Sequence, residues 1–505
     1  MMSIILSGGL SGCSKEQTTQ ERLNSAQVSL EQGKSAEAVI SLKNILKDDG
    51  ANLEARFLLG KSYAQQGNWL AAEKELVRAS ESYYEPLLVL PMLANVYSRL
   101  GDSASIILLL EDAISHKGLE HNLRYFLGKS YIFEGEQSRA LIEFAKVVEL
   151  EKESDFGQLS QVWLYGLNKQ FDEAIQILDN LNESNTNLVE ILELKAKTLF
   201  SANKVALAVK SFQAYLQMSP QDDQNRLMYA MALARENDFK EAEIQADYLL
   251  KVSPNNAIVN QIKAQARFTV KDFDEAKKFA ELAIRGNKNS IIAHIVAGVS
   301  AYRLNQLELA HTHLVTIKDQ LQYTHPARRL LTALRFQLGY ADDNFKDLSQ
   351  ASLEALDSPL LLASAQELFK VGKAKEAEYL VQKANQLDPE NATIIYQQGM
   401  IKALNNEGSS LDFFKEALEK DPELDVASIS LIMKLTIDKK YDEALKAAEE
   451  LKQRKPMIAY GLIGGIYLHQ GSTGQAKKAF TQVIALDENN IGGLFYLAKI
   501  PTLAK

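Results

Sequence analysis

Two triplets, Gly60-Lys61-Ser62 and Gly128-Lys129-Ser130, end the way a phosphate-binding loop ends, with a lysine for phosphate oxygens and a hydroxyl for their metal. That loop needs a further glycine five places before the first residue of the triplet, and Ala55 and Leu123 stand there. Both triplets also fall within apolar stripes of helical period, where backbone N–H groups are already bonded and cannot cradle an anion. His311 and His313 are two residues apart, so on a helix they point about 200° away from each other and cannot share a metal. Acidic pairs such as Asp172-Glu173 and Asp442-Glu443 open apolar stripes, where a carboxylate favours the positive end of a helix. The single cysteine, Cys13, can form neither an internal disulfide nor a metal cage. These residues point to a protein without a catalytic constellation, cofactor or metal.

What positions these side chains is a period. Gly33, Gly67, Gly101 and Gly135 are each 34 residues apart, as are Tyr63, Tyr97 and Tyr131. A small-residue position runs further, through Ala38, Ala72, Ile106, Ala140, Ala174, Ala208, Ala242, Ala276 and Ala310, with one substitution. A fixed period of this length marks a repeat array. Within one unit, Leu58, Leu59, Ser62 and Tyr63 share a helical stripe, Gly67 and Asn68 interrupt it, and Leu70, Ala71, Leu76 and Ala79 resume one. The unit is a helical hairpin. Its turn needs a left-handed residue, supplied by glycine or by Asn203 and Asn237. Small residues at Gly60 and Ala72 let the two helix axes approach, and prolines at Pro220, Pro254, Pro389, Pro422 and Pro456 close several units.

The hairpin resembles the tetratricopeptide repeat over almost the whole chain. Phe144, Phe212, Phe414 and Phe480 match that family's second-helix aromatic, with Leu42, Leu76 and Leu178 in its place elsewhere. The resemblance implies an all-α, right-handed superhelical solenoid of about fourteen and a half hairpins. Residues 21–324 read as a regular array. Residues 325–357 read as an irregular repeat, since Asn344 occupies the small position, and 358–489 resume the array. Residues 490–505 read as a half repeat that leaves Ile491, Leu494, Phe495 and Leu497 uncovered, the mark of a truncated end. Pro86 and Pro91 predict a shortened first helix in repeat three.

Apolar residues make up 46% and charged residues 24% of the sequence, the net charge is −9, and the charges are interleaved, which argues against a nucleic-acid surface. Residues 1–12 are apolar and rich in small residues, and Leu10-Ser11-Gly12-Cys13 resembles the lipobox of bacterial lipoproteins. That likeness implies a signal peptide cut before Cys13, acylation of Cys13, a tether over residues 13–20, and the periplasmic face of the outer membrane. The lipid is the expected membrane contact.

In the repeat family the first helices line a binding groove. Here that lining would include Phe57, Lys61, Tyr125, Lys129, Phe133, Trp163, Lys197, Phe200 and Phe268, aromatics mixed with lysines, suited to a protein or peptide partner rather than a small-molecule substrate. A closer resemblance lies in the N-terminal third. The stretches 38–46 (AVISLKNIL), 54–63 (EARFLLGKSY), 69–79 (WLAAEKELVRA) and 88–100 (LVLPMLANVYSRL) are similar to the first repeats of the TPR lipoproteins of the PEP-CTERM/exosortase system. It implies envelope partners linked to exopolysaccharide export and PEP-CTERM protein sorting. Two other readings stay open: a general outer-membrane assembly lipoprotein for pilus, peptidoglycan or barrel biogenesis, and the repeat region of a glycosyltransferase whose catalytic domain would follow the repeats and is missing.

Overall fold

The computed structural model describes residues 17–113, 118–184, 188–405 and 409–503. Cys13, and with it the signal and lipidation readings, lies outside the described residues. Among those described, there are twenty-nine α-helices and two short 3-10 turns, so the helices pair into fourteen hairpins with Ile491–Leu503 left over. The chain divides into two compact units, 1–296 and 297–505.

Each hairpin is built as its residues dictate. The ladder from Ala38 to Ala310, Ile106 included, has no solvent exposure at any rung, and Ala377, Ser410, Ala444 and Ala476 continue it in the second unit. Opposite it, glycines of the first helices meet a large side chain of the second. A Cβ on Gly60 would lie 2.7 Å from Leu76, one on Gly128 2.7 Å from Phe144, and one on Gly464 2.6 Å from Phe480. Such distances cannot be occupied, so the glycines are what lets the helices cross this closely. Ser62 and Ser130 of the two lysine triplets are buried inside helices, which removes the phosphate-loop reading on structural grounds as well.

The turn residue recurs at positive φ: Gly33, Gly67, Gly101 and Gly135, then Lys169, Asn203, Asn237 and Lys271, and in the second unit Asn305, Gly339, Gly372, Lys439 and Gly471. At Lys169, Lys271 and Lys439 packing holds a side chain in a conformation that costs on the order of 1 kcal/mol. Side-chain caps at Asn68, Asp238 and Asp272 then start the second helices by accepting from the backbone N–H three residues on.

Two local features depart from expectation or refine it. The first helix of repeat three, Pro86–Leu100, is fifteen residues long, not shortened. Pro86 sits where no intrahelical N–H bond is due, and Pro91 forfeits one bond, to a carbonyl at Leu87, a residue whose surface faces solvent. Repeats nine and ten carry the two shortest second helices, Leu307–Thr316 and Ala341–Gln350, each of ten residues. The end of Ala341–Gln350 is closed by the buried Lys383, whose Nζ donates to the carbonyls of Leu348 at 2.9 Å, Ser349 at 3.1 Å and Ala351 at 2.6 Å. Burial pushes the Lys383 amine below the ordinary lysine range. Asn344 is buried at the ladder position. In the final helix, Ile491 and Phe495 are exposed and Tyr496 stacks on Phe480 at 4.9 Å.

Candidate functional site

The first unit turns far enough for its early and middle repeats to meet. A Cβ on Gly67, in the turn of repeat two, would lie 2.9 Å from the carbonyl oxygen of Gln221, just before the first helix of repeat seven. Gly33 in repeat one faces the Gln217 carbonyl at 3.3 Å in the same way. The first helices of repeats three to seven therefore look inward onto a face with a cavity of about 490 Å³, lined among others by Trp69, Phe133, Trp163, Gln221 and Gln224. The chain has two tryptophans, and both are on this wall.

Across that face runs an ionic network. Arg99, in the last turn of Pro86–Leu100, donates from Nη1 to Glu193 Oε1 at 2.8 Å and from Nη2 to the other oxygen, a bidentate pair. Glu193 lies on Leu188–Ser201 of repeat six and also receives Lys197 and, at 3.2 Å, the Asn225 amide. One turn earlier on that helix, Glu190 Oε1 accepts from Lys129 Nζ and from the Tyr125 hydroxyl, each at 2.6 Å. Trp163 Nε1 donates to the Tyr125 oxygen at 3.4 Å and stacks on Phe144 with ring centres 5.6 Å apart. Asp222 accepts from Tyr215 at 2.6 Å and from Asn225 at 2.9 Å.

Burial and pairing compete in this network. Burial alone would push the Arg99 guanidinium down, but Glu193, with Tyr215 and Glu190, holds it well above its ordinary value. Burial would likewise raise the Glu193 carboxyl, yet Arg99, Lys197 and Lys129 hold it well below the usual carboxylate range. At Lys129 the balance falls the other way: burial, with Arg99 adding, lowers its amine despite Glu190. Burial and Glu190 push the Tyr125 hydroxyl well up.

The residues expected to line the groove separate into groups. Tyr125, Lys129, Trp163 and Lys197 are brought together in the network. Tyr125 is fully buried and Lys129 nearly so, occupied by Glu190 instead of facing a free groove. Phe133 is exposed, with its ring edge over Gly101. Phe57 packs 6.0 Å from Tyr84, Phe200 lies under the Arg235 guanidinium at 4.2 Å, and Phe268 packs edge-on against Phe273 at 5.7 Å. These three are half-buried between neighbouring helices, and Lys61 is half-buried too. Sequence reasoning missed Arg99, Glu190, Glu193 and Asn225. Their one local signal is Glu190-x-x-Glu193-x-x-x-Lys197, charge on a helix stripe that should face a core.

Among the described residues no group of His, Cys, Asp and Glu could hold a metal, and no helix is long and apolar enough to cross a membrane. His311 packs against Tyr340 with ring centres 5.0 Å apart. In the second unit, a hollow of about 470 Å³ lies between the first helices of repeats ten and eleven, lined by Arg329, Phe336, Leu360 and Glu367.

Paired helices, the buried alanine ladder and left-handed turns 34 residues apart from Gly33 to Gly339 define a tetratricopeptide-repeat solenoid. Two sequence profiles described as "Tetratricopeptide repeat" agree, one over residues 23–83 and 193–257, the other over 458–490. No curated protein sequence matches the chain. Among solved structures the chain is similar to that of the APC/C hetero-tetramer Cut9-Hcn1 (16% identity, 96% of each chain covered, TM-score 0.27). It is also similar to a tetratricopeptide repeat protein from Parabacteroides merdae (17% identity, 49% of this chain and 98% of that one, TM-score 0.31). A third is YrrB, described as a TPR protein with an unusual peptide-binding site (17% identity, 36% and 95% covered, TM-score 0.30).

Proposed function

We propose that this protein is a lipid-anchored scaffold of the Gram-negative envelope, non-enzymatic, which holds protein partners of an exopolysaccharide-export and PEP-CTERM sorting system. The observation that carries this is the similarity of residues 38–46, 54–63, 69–79 and 88–100 to the first repeats of lipoproteins of that system, together with Leu10-Ser11-Gly12-Cys13 ahead of them. The solenoid supports the scaffold part, because a long stack of helical hairpins offers extended surfaces for protein segments. Several acyl chains on Cys13 would exceed the two signals needed for stable anchoring.

The test has two arms. Acyl labelling of the wild type against Cys13→Ser should show label lost in the variant, and equal label in both removes the anchor. Deleting the gene should reduce surface exopolysaccharide or misplace PEP-CTERM proteins, with rescue by the wild type. Unchanged secretion in the deletion strain overturns the assignment to that system.

A further inference from the structure

The network in the first unit has the composition of a receptor and its ligand in one chain. On one side, Arg99, Lys129 and Tyr125, from repeats three and four, present donors, and Trp163 of repeat five donates to the Tyr125 oxygen, which gives its own proton away. On the other side, Glu190 and Glu193 of repeat six present two carboxylates one helical turn apart. We propose that the inner face of repeats three to five is a binding site for an acidic peptide segment with Glu-x-x-Glu spacing, closed in the free protein by Glu190 and Glu193 acting as its ligand in cis.

Three observations favour exchange over a permanent brace. The cavity of about 490 Å³ opens alongside Arg99, Lys129 and Trp163, with Asp222 and Asp223 also on its wall, so an incoming segment has room to approach. Glu193 keeps Lys197 on its own helix and Asn225 on the first helix of repeat seven when Arg99 lets go, so opening does not strand it. Arg99 Nε is buried without a protein acceptor, so the cis ligand leaves donor capacity unused. Exchanging one carboxylate for another also avoids the heavy loss of leaving a buried cation unpaired. The closed state reduces apparent affinity by the fraction of molecules that are open.

The proposal names the chemistry of one partner of the scaffold and rests on that scaffold reading for its biological setting alone, since lipidation and secretion are read by other assays. Full-length wild type, Glu190→Gln/Glu193→Gln, and the same double variant with Arg99→Gln and Lys129→Gln are titrated against a fluorescein-labelled peptide carrying Glu-x-x-Glu and against its Gln-x-x-Gln twin. The expected result is at least about tenfold tighter binding of the acidic peptide by the double variant than by the wild type, equivalent to about 1.4 kcal/mol. The twin gains nothing, and the added Arg99 and Lys129 changes abolish the gain. Equal binding of both peptides, or no gain in a double variant of native helicity, overturns the proposal. Should the double variant lose helicity, hydrogen exchange of the wild type with excess acidic peptide decides. Faster exchange at the Gly67–Gln221 closure with slower exchange in 120–133 supports the proposal, and an unchanged pattern overturns it.

Discussion

Asp347 in repeat ten gathers Arg328, Arg335, Tyr323 and Lys318 from no more than 29 residues away, whereas Glu193 in repeat six receives Arg99 from 94 residues up the chain. Both centres are carboxylates in contact with buried arginines, with Arg328 and Arg335 almost fully covered and Arg99 little less so. The difference is reach. Around Asp347 the charges repair a place where the second helix is short and Asn344 replaces the small ladder residue. Around Glu193 they join repeats that the one-dimensional logic of a solenoid would never bring into contact. A buried ion pair is therefore not one kind of object in this protein: its sequence separation says whether it mends a repeat or closes a turn.

The largest expected effect lies at the local centre. Asp347→Ala leaves two buried guanidiniums with one partner fewer and should cost about 3–5 kcal/mol, read by thermal unfolding, with hydrogen exchange loosened around 318–350. A loss under 1 kcal/mol would show that the cluster is wetter than its burial implies. Next comes Ala174→Phe, which forces a ring into the ladder of repeat five and should cost about 1–3 kcal/mol. Its damage should stay in repeats four to six, and loosening that ran evenly from Ala38 to Ala310 would contradict nearest-neighbour coupling. Lys383→Met removes the donor that closes Ala341–Gln350 and should cost about 1 kcal/mol, seen as fraying of that helix alone.

The smallest change in stability should come from removing both partners of the distant pair. Arg99→Met with Glu193→Leu swaps a buried ion pair for apolar contact and should leave the melting temperature within a few degrees of the wild type. The first unit should nonetheless expand in small-angle scattering, which Asp347→Ala should not cause. The same contrast has a pH form. Glu193 is held well below the ordinary carboxylate range chiefly because Arg99, Lys197 and Lys129 outweigh its burial, so its contribution is complete above that range and is lost only as pH falls through the depressed value. Fluorescence of Trp69 and Trp163, both on the cavity wall, should stay constant through mild acid and change only below it.

The legible part of this molecule is the part with a period. The alanine ladder, the glycines at the helix crossings and the left-handed turns could all be read from spacing, because each is a demand that one hairpin makes of its own residues. Lys169, Lys271 and Lys439 at positive φ were not flagged, since lysine carries no signature of that conformation. Pro91 misled, because the cost of one missing hydrogen bond was met by a fifteen-residue helix with an apolar face to bury. The sequence pattern reads Tyr125, Lys129, Trp163 and Lys197 as lining an open groove. Glu190, which occupies Tyr125 and Lys129, lies two repeats further on, and Glu193 lies three repeats from Arg99; the curvature that brings them together is the sum of many small rotations that no single repeat encodes.

Closure of the first unit also bears on how freely its turns can drift in sequence. By period, Gly67 and Gly135 are equivalent, and asparagine or lysine serves at the matching position of later repeats. Around Gly135 nothing lies within 4 Å of an added Cβ, so Gly135→Asn is open to chance substitution. At Gly67 the same change would act as a wedge against the Gln221 backbone, prising the ring apart without touching a charge. Two sites that look interchangeable in the repeat thus carry different mutational freedom, and among homologues that keep the ring shut, position 67 should stay glycine while position 135 wanders.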